Sequence, residues 1–358
     1  MSRKDTSRRL AQKPSEHADP YRSDPAREEG AAAIDARCIC LSPGLGIALA
    51  GGGGRGIAQI GVLKVLESEG ISVEYVAGTS IGAIIGGLYA LTGRAVEVEK
   101  RVLQYLRRQE ETGRPSFFGS FRALARRTGP DVDHSVVDRL RYLWALGRGL
   151  SSPSMGEARD LRAILEELFG AQTFAETRIP FATTAVDLNS GRRLVFAAGS
   201  LVDAIYASAA LPGIVPPLEL EGYRLIDGGF AEPVPVDTCR YLGAAHVLAV
   251  DVLGRPATAR ELDSSLAVIM RADQVARHAL EREHLAKAEV IVMPEVESID
   301  WTDFSHPEER IAAGERAARQ KLPEIRALIS RFEQVFVRGM VMSRPCEPER
   351  SSGANAVW

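Results

Sequence analysis

The sequence predicts an α/β fold built on a mainly parallel sheet. Three observations carry this reading. Short apolar runs of strand length alternate with longer runs whose apolar residues recur at helical spacing. Two of the strand-to-helix junctions are glycine-rich, at 51–56 and 78–82. Two further strands are separated by Asn189-Ser190-Gly191, which asks for at least one antiparallel member.

In chain order, residues 1–43 are rich in Ser, Pro, Arg, Asp and Glu and lack periodicity. Such a segment cannot bury enough apolar surface to offset its ordering entropy, so a disordered tail is expected. It also lacks the apolar stretch of a secretory signal. GIALA (46–50) reads as the first strand. From 57 to 70, Ile57, Ile60, Leu63, Val65 and Leu66 fall near helical spacing, and Gly70 ends the helix. VEYVAG (73–78) is the second strand and IGAIIGGLYAL (81–91) an apolar helix, whose Gly86 and Gly87 point to close packing on another backbone.

The stretch at about 94–150 has no clear buried strand and reads as a basic helical insertion. Between Arg94 and Arg148 it carries twelve Lys or Arg against seven acidic residues, interleaved with Phe117, Phe118, Phe121, Tyr142, Leu143 and Trp144. A solvated insertion accounts for this pattern; contact with an anionic lipid surface is the sharper reading. Strands follow at 179–188, 192–199 and Tyr223–Ile226, the last after a proline-rich connection at 207–217. Two more apolar strands, 246–252 and 289–296, place an α/β extension at 244–340, packed on a catalytic domain at 46–243. Residues 343–358 resemble the first tail in composition.

Composition narrows the function classes. A formal net charge of −3 gives no nucleic-acid footprint. No run of about 18 apolar residues is present, so no membrane span is expected. Four cysteines are too few for a disulfide scaffold, and the Cys38/Cys40 pair has no second pair or histidine cluster to complete a zinc site. The cytoplasm is the expected location.

Three motifs carry chemistry. Gly51, Gly53 and Gly56 satisfy G-x-G-x-x-G, a spacing that serves a dinucleotide pyrophosphate. Gly78-Thr79-Ser80-Ile81-Gly82 is G-x-S-x-G between an apolar strand and an apolar helix, the setting of a nucleophile elbow. There a sharp turn lifts the Ser80 hydroxyl clear of the sheet, and the helix N-terminus favours developing negative charge. Asp227 follows an apolar strand and precedes Gly228-Gly229; in isolation it is a turn aspartate.

Taken in order, GGGGRG (51–56), GTSIG (78–82), ASAALPGIVPP (207–217) and DGG (227–229) make the chain resemble the patatin-like phospholipase family, particularly its bacterial members. The likeness is strong over about 46–243 and weaker through 250–255 and 288–305. It implies a three-layer α/β/α sandwich and a Ser80–Asp227 dyad, with Ser80 as nucleophile and Asp227 as proton acceptor. It makes the glycine loop an oxyanion hole in which Gly52, Gly53 and Gly54 donate their N–H groups. Gly51, Gly56, Gly78, Gly82, Gly228 and Gly229 support the turns, and Arg55 either buttresses the loop or faces a lipid phosphate. The substrate implied is a phospholipid or lysophospholipid, with no metal or organic cofactor.

None of the six histidines (His17, His134, His246, His278, His284, His306) sits in a setting like a catalytic loop, and Asp187 reads as a structural turn residue. Two other readings stay open. A dinucleotide-binding protein would need an acid ending the second strand, and Glu69 and Glu74 do not end it. A non-catalytic lipid-binding scaffold would keep the fold and lose the chemistry.

Overall fold

The computed structural model describes residues 44–112, 158–253, 265–296 and 299–342. The expected tails, Cys38 and Cys40, His17 and His134, and the aromatic part of the basic segment lie outside the described residues.

Eight strands among the described residues form one sheet: β1 (Leu45–Leu49), β2 (Tyr75–Gly78), β3 (Phe181–Asp187), β4 (Arg193–Phe196), β5 (Leu218–Leu220), β6 (Tyr223–Asp227), β7 (His246–Val250) and β8 (Val290–Val292). Their order is β5-β6-β3-β2-β1-β7-β8, with β4 also paired to β3. The run β3-β2-β1-β7-β8 is parallel. The pairs β3–β4, β3–β6 and β5–β6 are antiparallel. β1 is buried at every residue, which is why LGIAL reads as a continuous apolar run: helices cover both faces of a parallel sheet.

The helices are α1 (Ala58–Ser68), α2 (Ile81–Thr92), α3 (Ala95–Thr112), α4 (Ala158–Phe169), α5 (Leu201–Ala209), α6 (Val236–Tyr241), α7 (Ser265–Leu285) and α8 (Pro307–Met342). α2 is buried from Ile81 through Leu91 because it packs on the sheet and on α3, α4 and α5. Its Gly86 and Gly87 correct the sequence reading. A Cβ on Gly86 would lie 3.0 Å from the Val76 side chain, and one on Gly87 3.0 Å from those of Ile205 and Phe169. The close neighbours are side chains, not backbone. Backbone-to-backbone approach occurs instead between α1 and α8, where Gly61 faces the Ile311 carbonyl and Gly314 the Ala58 carbonyl.

The described strands within 244–340 belong to the same sheet. β7 pairs with the whole of β1, β8 extends the sheet beyond β7, and α8 packs on α1. One core cluster runs through both segments and includes Ile47, Leu49, Leu63, Leu88, Leu248 and Ile325.

β3 acts as the ruler for the site. Its Thr183 pairs with Gly78 at the end of β2, and Ala185, two residues on, pairs with Asp227 at the end of β6. The sheet register therefore brings the serine turn and the aspartate turn together.

Candidate active site

β1 runs directly into the glycine loop. Gly51 donates its N–H to the Pro233 carbonyl at 3.0 Å. Gly52 and Gly53 follow with φ of 147° and 58°, and a Cβ on Gly53 would overlap the Trp301 carbonyl. Glycine is required at 53 on both counts. The amides of Gly52 and Gly53 donate to no acceptor among the described residues, and both glycines are partly exposed. Gly54 corrects the expectation of three inward-facing donors: it is buried, and its N–H is committed to the Trp301 carbonyl at 2.7 Å. Arg55 takes the buttressing role. Its Nε donates to the Ile299 carbonyl at 2.6 Å and its Nη1 to the Leu253 carbonyl at 2.8 Å.

The second turn is a strained elbow. Ser80 has φ 56° and ψ −120°, a conformation that a non-glycine residue adopts only where its surroundings impose it, at a cost of about 1–3 kcal/mol. Several contacts impose it here. A Cβ on Gly78 would overlap the Gly82 carbonyl, and one on Gly82 would overlap the Leu49 carbonyl. The Ser80 N–H donates to Ser208 Oγ at 3.0 Å, and the Thr79 N–H to the Leu49 carbonyl at 3.1 Å. Thr79 Oγ1 donates to the Glu232 carbonyl at 2.9 Å and lies 3.3 Å from Thr184 Oγ1. The glycine loop sits over this turn, the Cβ position of Gly51 falling 3.5 Å from Ser80 Cβ.

Asp227 caps the 3-10 turn Gly228–Phe230, its Oδ1 accepting from the Gly229 N–H at 2.7 Å. The Ser80 hydroxyl also acts on it, favouring its ionised form. The aspartate is 5% exposed. That burial pushes its carboxyl up to about 6, against the opposing pull of the Gly229 N–H, the Ser80 hydroxyl and the Arg277 guanidinium. Arg277, on α7, lies 5.1 Å over the Phe230 ring and pairs with Asp273 at 2.7 Å. A carboxylate held close to neutral pH beside a serine hydroxyl can accept a proton and return it.

Asp187 accepts from Asn189 N (3.2 Å), Ser190 N (3.0 Å), Ser190 Oγ (2.7 Å) and Arg224 N (3.0 Å), which fixes the hairpin turn. His278 lies 3.2 Å from Glu281, His284 Nδ1 is 2.9 Å from the Leu280 carbonyl, and His246 and His306 face Glu289 and Glu309 at 3.9 Å. No described histidine is a partner of Ser80. Glu232, Asp237 and His284 bring ligand-type atoms within 4.8 Å of one another. Cations and hydroxyls already balance this group, since Glu232 is held by Arg193 and Thr238 and Asp237 by Lys287 at 2.6 Å.

The dinucleotide reading loses ground here. β2 ends in Gly78-Thr79-Ser80 with no acid, and the Trp301 and Asp303 carbonyls press on Gly53 and Gly54. Three residues of the site escaped the sequence reading: Ser208, Arg277 and Glu232. Ser208 lies inside the ASAALPG segment, and that position was its only signal.

A family model described as Patatin-like phospholipase matches residues 47–240. A Patatin-like phospholipase domain-containing protein, ZK370.4, from Caenorhabditis elegans is 33% identical over 216 residues, covering 60% of this chain and 14% of that protein. Neuropathy target esterase sws from Drosophila melanogaster is 28% identical over 210 residues, 58% of this chain and 13% of its own length. Lysophospholipase NTE1 from Yarrowia lipolytica is 30% identical over 214 residues, 60% of this chain and 13% of its own length. The chain thus spans about a seventh of these relatives, all three of which are eukaryotic. Among solved structures, VipD from Legionella pneumophila superposes with a TM-score of 0.40 at 15% identity, over 78% of this chain and 66% of VipD.

Proposed function

Because the chain belongs to the patatin-like phospholipase family, we propose that it is a serine lipid acyl hydrolase acting on phospholipids or lysophospholipids through a Ser80–Asp227 dyad. One observation carries the reading: the sheet register brings a serine in a strained elbow together with a buried carboxyl raised to about 6. In the first half-reaction Ser80 Oγ attacks the ester carbonyl and its proton passes to Asp227. The carbonyl oxygen gains negative charge and takes the amides of Gly52 and Gly53, each worth about 3 kcal/mol to the transition state. The tetrahedral intermediate collapses, Asp227 returns the proton to the departing alcohol, and acyl-Ser80 remains. Water then attacks the acyl-enzyme and Asp227 takes its proton; as the second tetrahedral intermediate collapses Asp227 returns that proton to Ser80 Oγ, and the fatty acid leaves. The steps need no metal or organic cofactor.

The substrate class draws on the names of the relatives, two of which denote a lysophospholipase and an esterase. From the likeness at 250–255 and 288–305 we also propose that the chain is a short bacterial member of the family. A cytoplasmic protein touching anionic bilayers through its basic segment fits the charge balance there. No described helix is long and apolar enough to cross a membrane. On α3, exposed Arg107 and Arg108 pair with Glu308 and Glu167, contacts that salt and a lipid surface compete for.

The test is labelling with a fluorophosphonate probe followed by mass spectrometry. Ser80 is expected to carry the label, and Ser80→Ala to lose both label and lysophospholipid hydrolysis while staying folded. Undiminished labelling and turnover in that variant would remove Ser80 from the mechanism. A folded wild type that neither labels nor turns over would favour the non-catalytic scaffold. Vesicle co-sedimentation of wild type against Arg107→Glu/Arg108→Glu/Arg126→Glu/Arg127→Glu tests the membrane contact, which needs anionic lipid and weakens with salt.

A further inference from the structure

The arginine of the glycine loop is committed to the fold. Arg55 donates to the carbonyls of Ile299 and Leu253, which fixes it as a buttress. Arg193 is likewise committed, to the fully buried carboxylate of Glu232. A cation beside the dyad is held differently. Arg277, on α7, has its guanidinium 5.1 Å from the centre of the Phe230 ring. Phe230 closes the 3-10 turn that Asp227 caps, so this positive charge stands over the turn of the catalytic carboxyl and draws on it.

Its contacts do not account for it as a brace. Among the described residues its ion-pair partner is Asp273, at 2.7 Å and one turn back on the same helix. Both side chains of that pair are more than a third exposed, so the pair contributes little to stability. The buried Nε has no hydrogen-bond partner among the described residues. An arginine that braces a fold uses its donors, as Arg55 does. Arg277 instead rests on an aromatic ring with its charge at the surface. Gly229 and Phe230 beside it are also partly exposed, so this side of the Asp227 turn opens to solvent.

A cation in this place suits a particular anion. In a phospholipid or lysophospholipid the phosphate stands one glycerol unit from the ester attacked by Ser80. Arginine presents planar, paired N–H donors that match phosphate oxygens. Its exposed pair with Asp273 is readily exchanged for such a ligand, because the same donor passes from carboxylate to phosphate. We propose that Arg277 binds the phosphate of the substrate head group, and so sets a preference for phosphate-bearing lipids over neutral acylglycerols. The proposal rests on the Ser80–Asp227 reading, which fixes where the ester lies.

The experiment compares two substrates with the same acyl chain and ester, 1-lauroyl lysophosphatidylcholine and 1-lauroylglycerol, below the concentrations at which they aggregate. Arg277 also acts on Asp227, but an effect through that carboxyl reaches both substrates alike and cancels in the ratio of their kcat/KM values. Arg277→Met keeps an apolar arm on Phe230 and removes the charge. It lowers the ratio, lysolipid over acylglycerol, by about tenfold or more. Asp273→Asn removes the competing carboxylate and raises the ratio by about twofold or more. Binding is read separately from turnover. Calorimetric titration of lysophosphatidylcholine into Ser80→Ala protein gives a Kd that rises about tenfold or more when Arg277→Met is added.

A ratio unmoved by Arg277→Met in a folded protein overturns the proposal, as does an equal loss on both substrates, which confines Arg277 to its effect on Asp227. An Asp273→Asn ratio at or below that of wild type does the same, and that variant leaves Arg277 and its packing in place. Inhibition of 1-lauroylglycerol turnover by inorganic phosphate, lost in Arg277→Met while the ratio holds, would give the site to a free phosphate and overturn the head-group assignment. Failure of the catalytic reading is distinguishable, because 1-lauroylglycerol turnover then survives Ser80→Ala.

Discussion

Asp227→Asn is expected to abolish turnover and to stabilise the fold. Burial raises the Asp227 carboxyl from 3.8 to about 6. A shift of about two units corresponds to roughly 3 kcal/mol of differential stability between its protonated and ionised forms. Between pH 4 and 6 the native state binds more protons here than the unfolded chain does, so stability falls as pH rises. Above pH 6 both states are ionised and the native state carries the whole penalty; below pH 4 both are protonated and the penalty vanishes. Asparagine stays neutral throughout and still offers an oxygen to the Gly229 N–H. At pH 7.5 the variant should therefore gain about 2–3 kcal/mol. At roughly 2 °C per kcal/mol for a chain of this size, that is an increase in Tm of about 4–6 °C. Thermal unfolding of both proteins from pH 4 to 8, alongside fluorophosphonate labelling, measures it. A variant no more stable than wild type at pH 7.5, or one stabilised equally at pH 4 and 7.5, would refute the reading of Asp227 as a destabilised buried base.

The same carboxyl sets the acid limb of activity: kcat/KM should fall below pH 6, approaching tenfold per unit, and a limb centred near 4 would point to an unperturbed acid. Gly53→Ala should lower kcat by about 10²-fold or more with little change in KM, read from steady-state kinetics on a soluble ester. Replacing His246, His278, His284 and His306 one at a time should leave turnover within about tenfold; a loss of several orders of magnitude in a folded variant would restore a histidine to the mechanism. Glu232→Gln should cost about 3 kcal/mol in urea unfolding, because the fully buried carboxylate is the partner of both Arg193 and Thr238.

Much of the site was legible because its requirements are local. Gly53, Gly78 and Gly82 stand where a side chain has no room, and that constraint writes itself into the sequence as glycine. The elbow was readable from one strand, one serine and one helix for the same reason. What stayed hidden depends on distant partners. Ser208 is 128 residues from the Ser80 amide it receives, and the Ile299 carbonyl is 244 residues from Arg55. Which glycine amide is committed was likewise not readable, since a run of glycines looks the same whichever N–H is spent on Trp301. α8 carries Pro323 inside it, a residue that ordinarily signals a helix break, yet the helix runs on to Met342. The pairing of β7 with β1 is a register between remote segments, which no local pattern records.

The contacts around the glycine loop bear on how the boundary of such a protein should be drawn. The family match ends at 240, yet three of the groups that hold the loop are the carbonyls of Leu253, Ile299 and Trp301, beyond it. A chain cut where the match ends would retain Ser80 and Asp227 and lose the carbonyls that hold the glycine loop. It would also turn β1, the buried centre of the sheet, into an unpaired edge. Backbone carbonyls exist at every position whatever the side chain. A segment that works only through them can therefore diverge in sequence without changing its task, and similarity fades at a point where the support of the glycine loop continues.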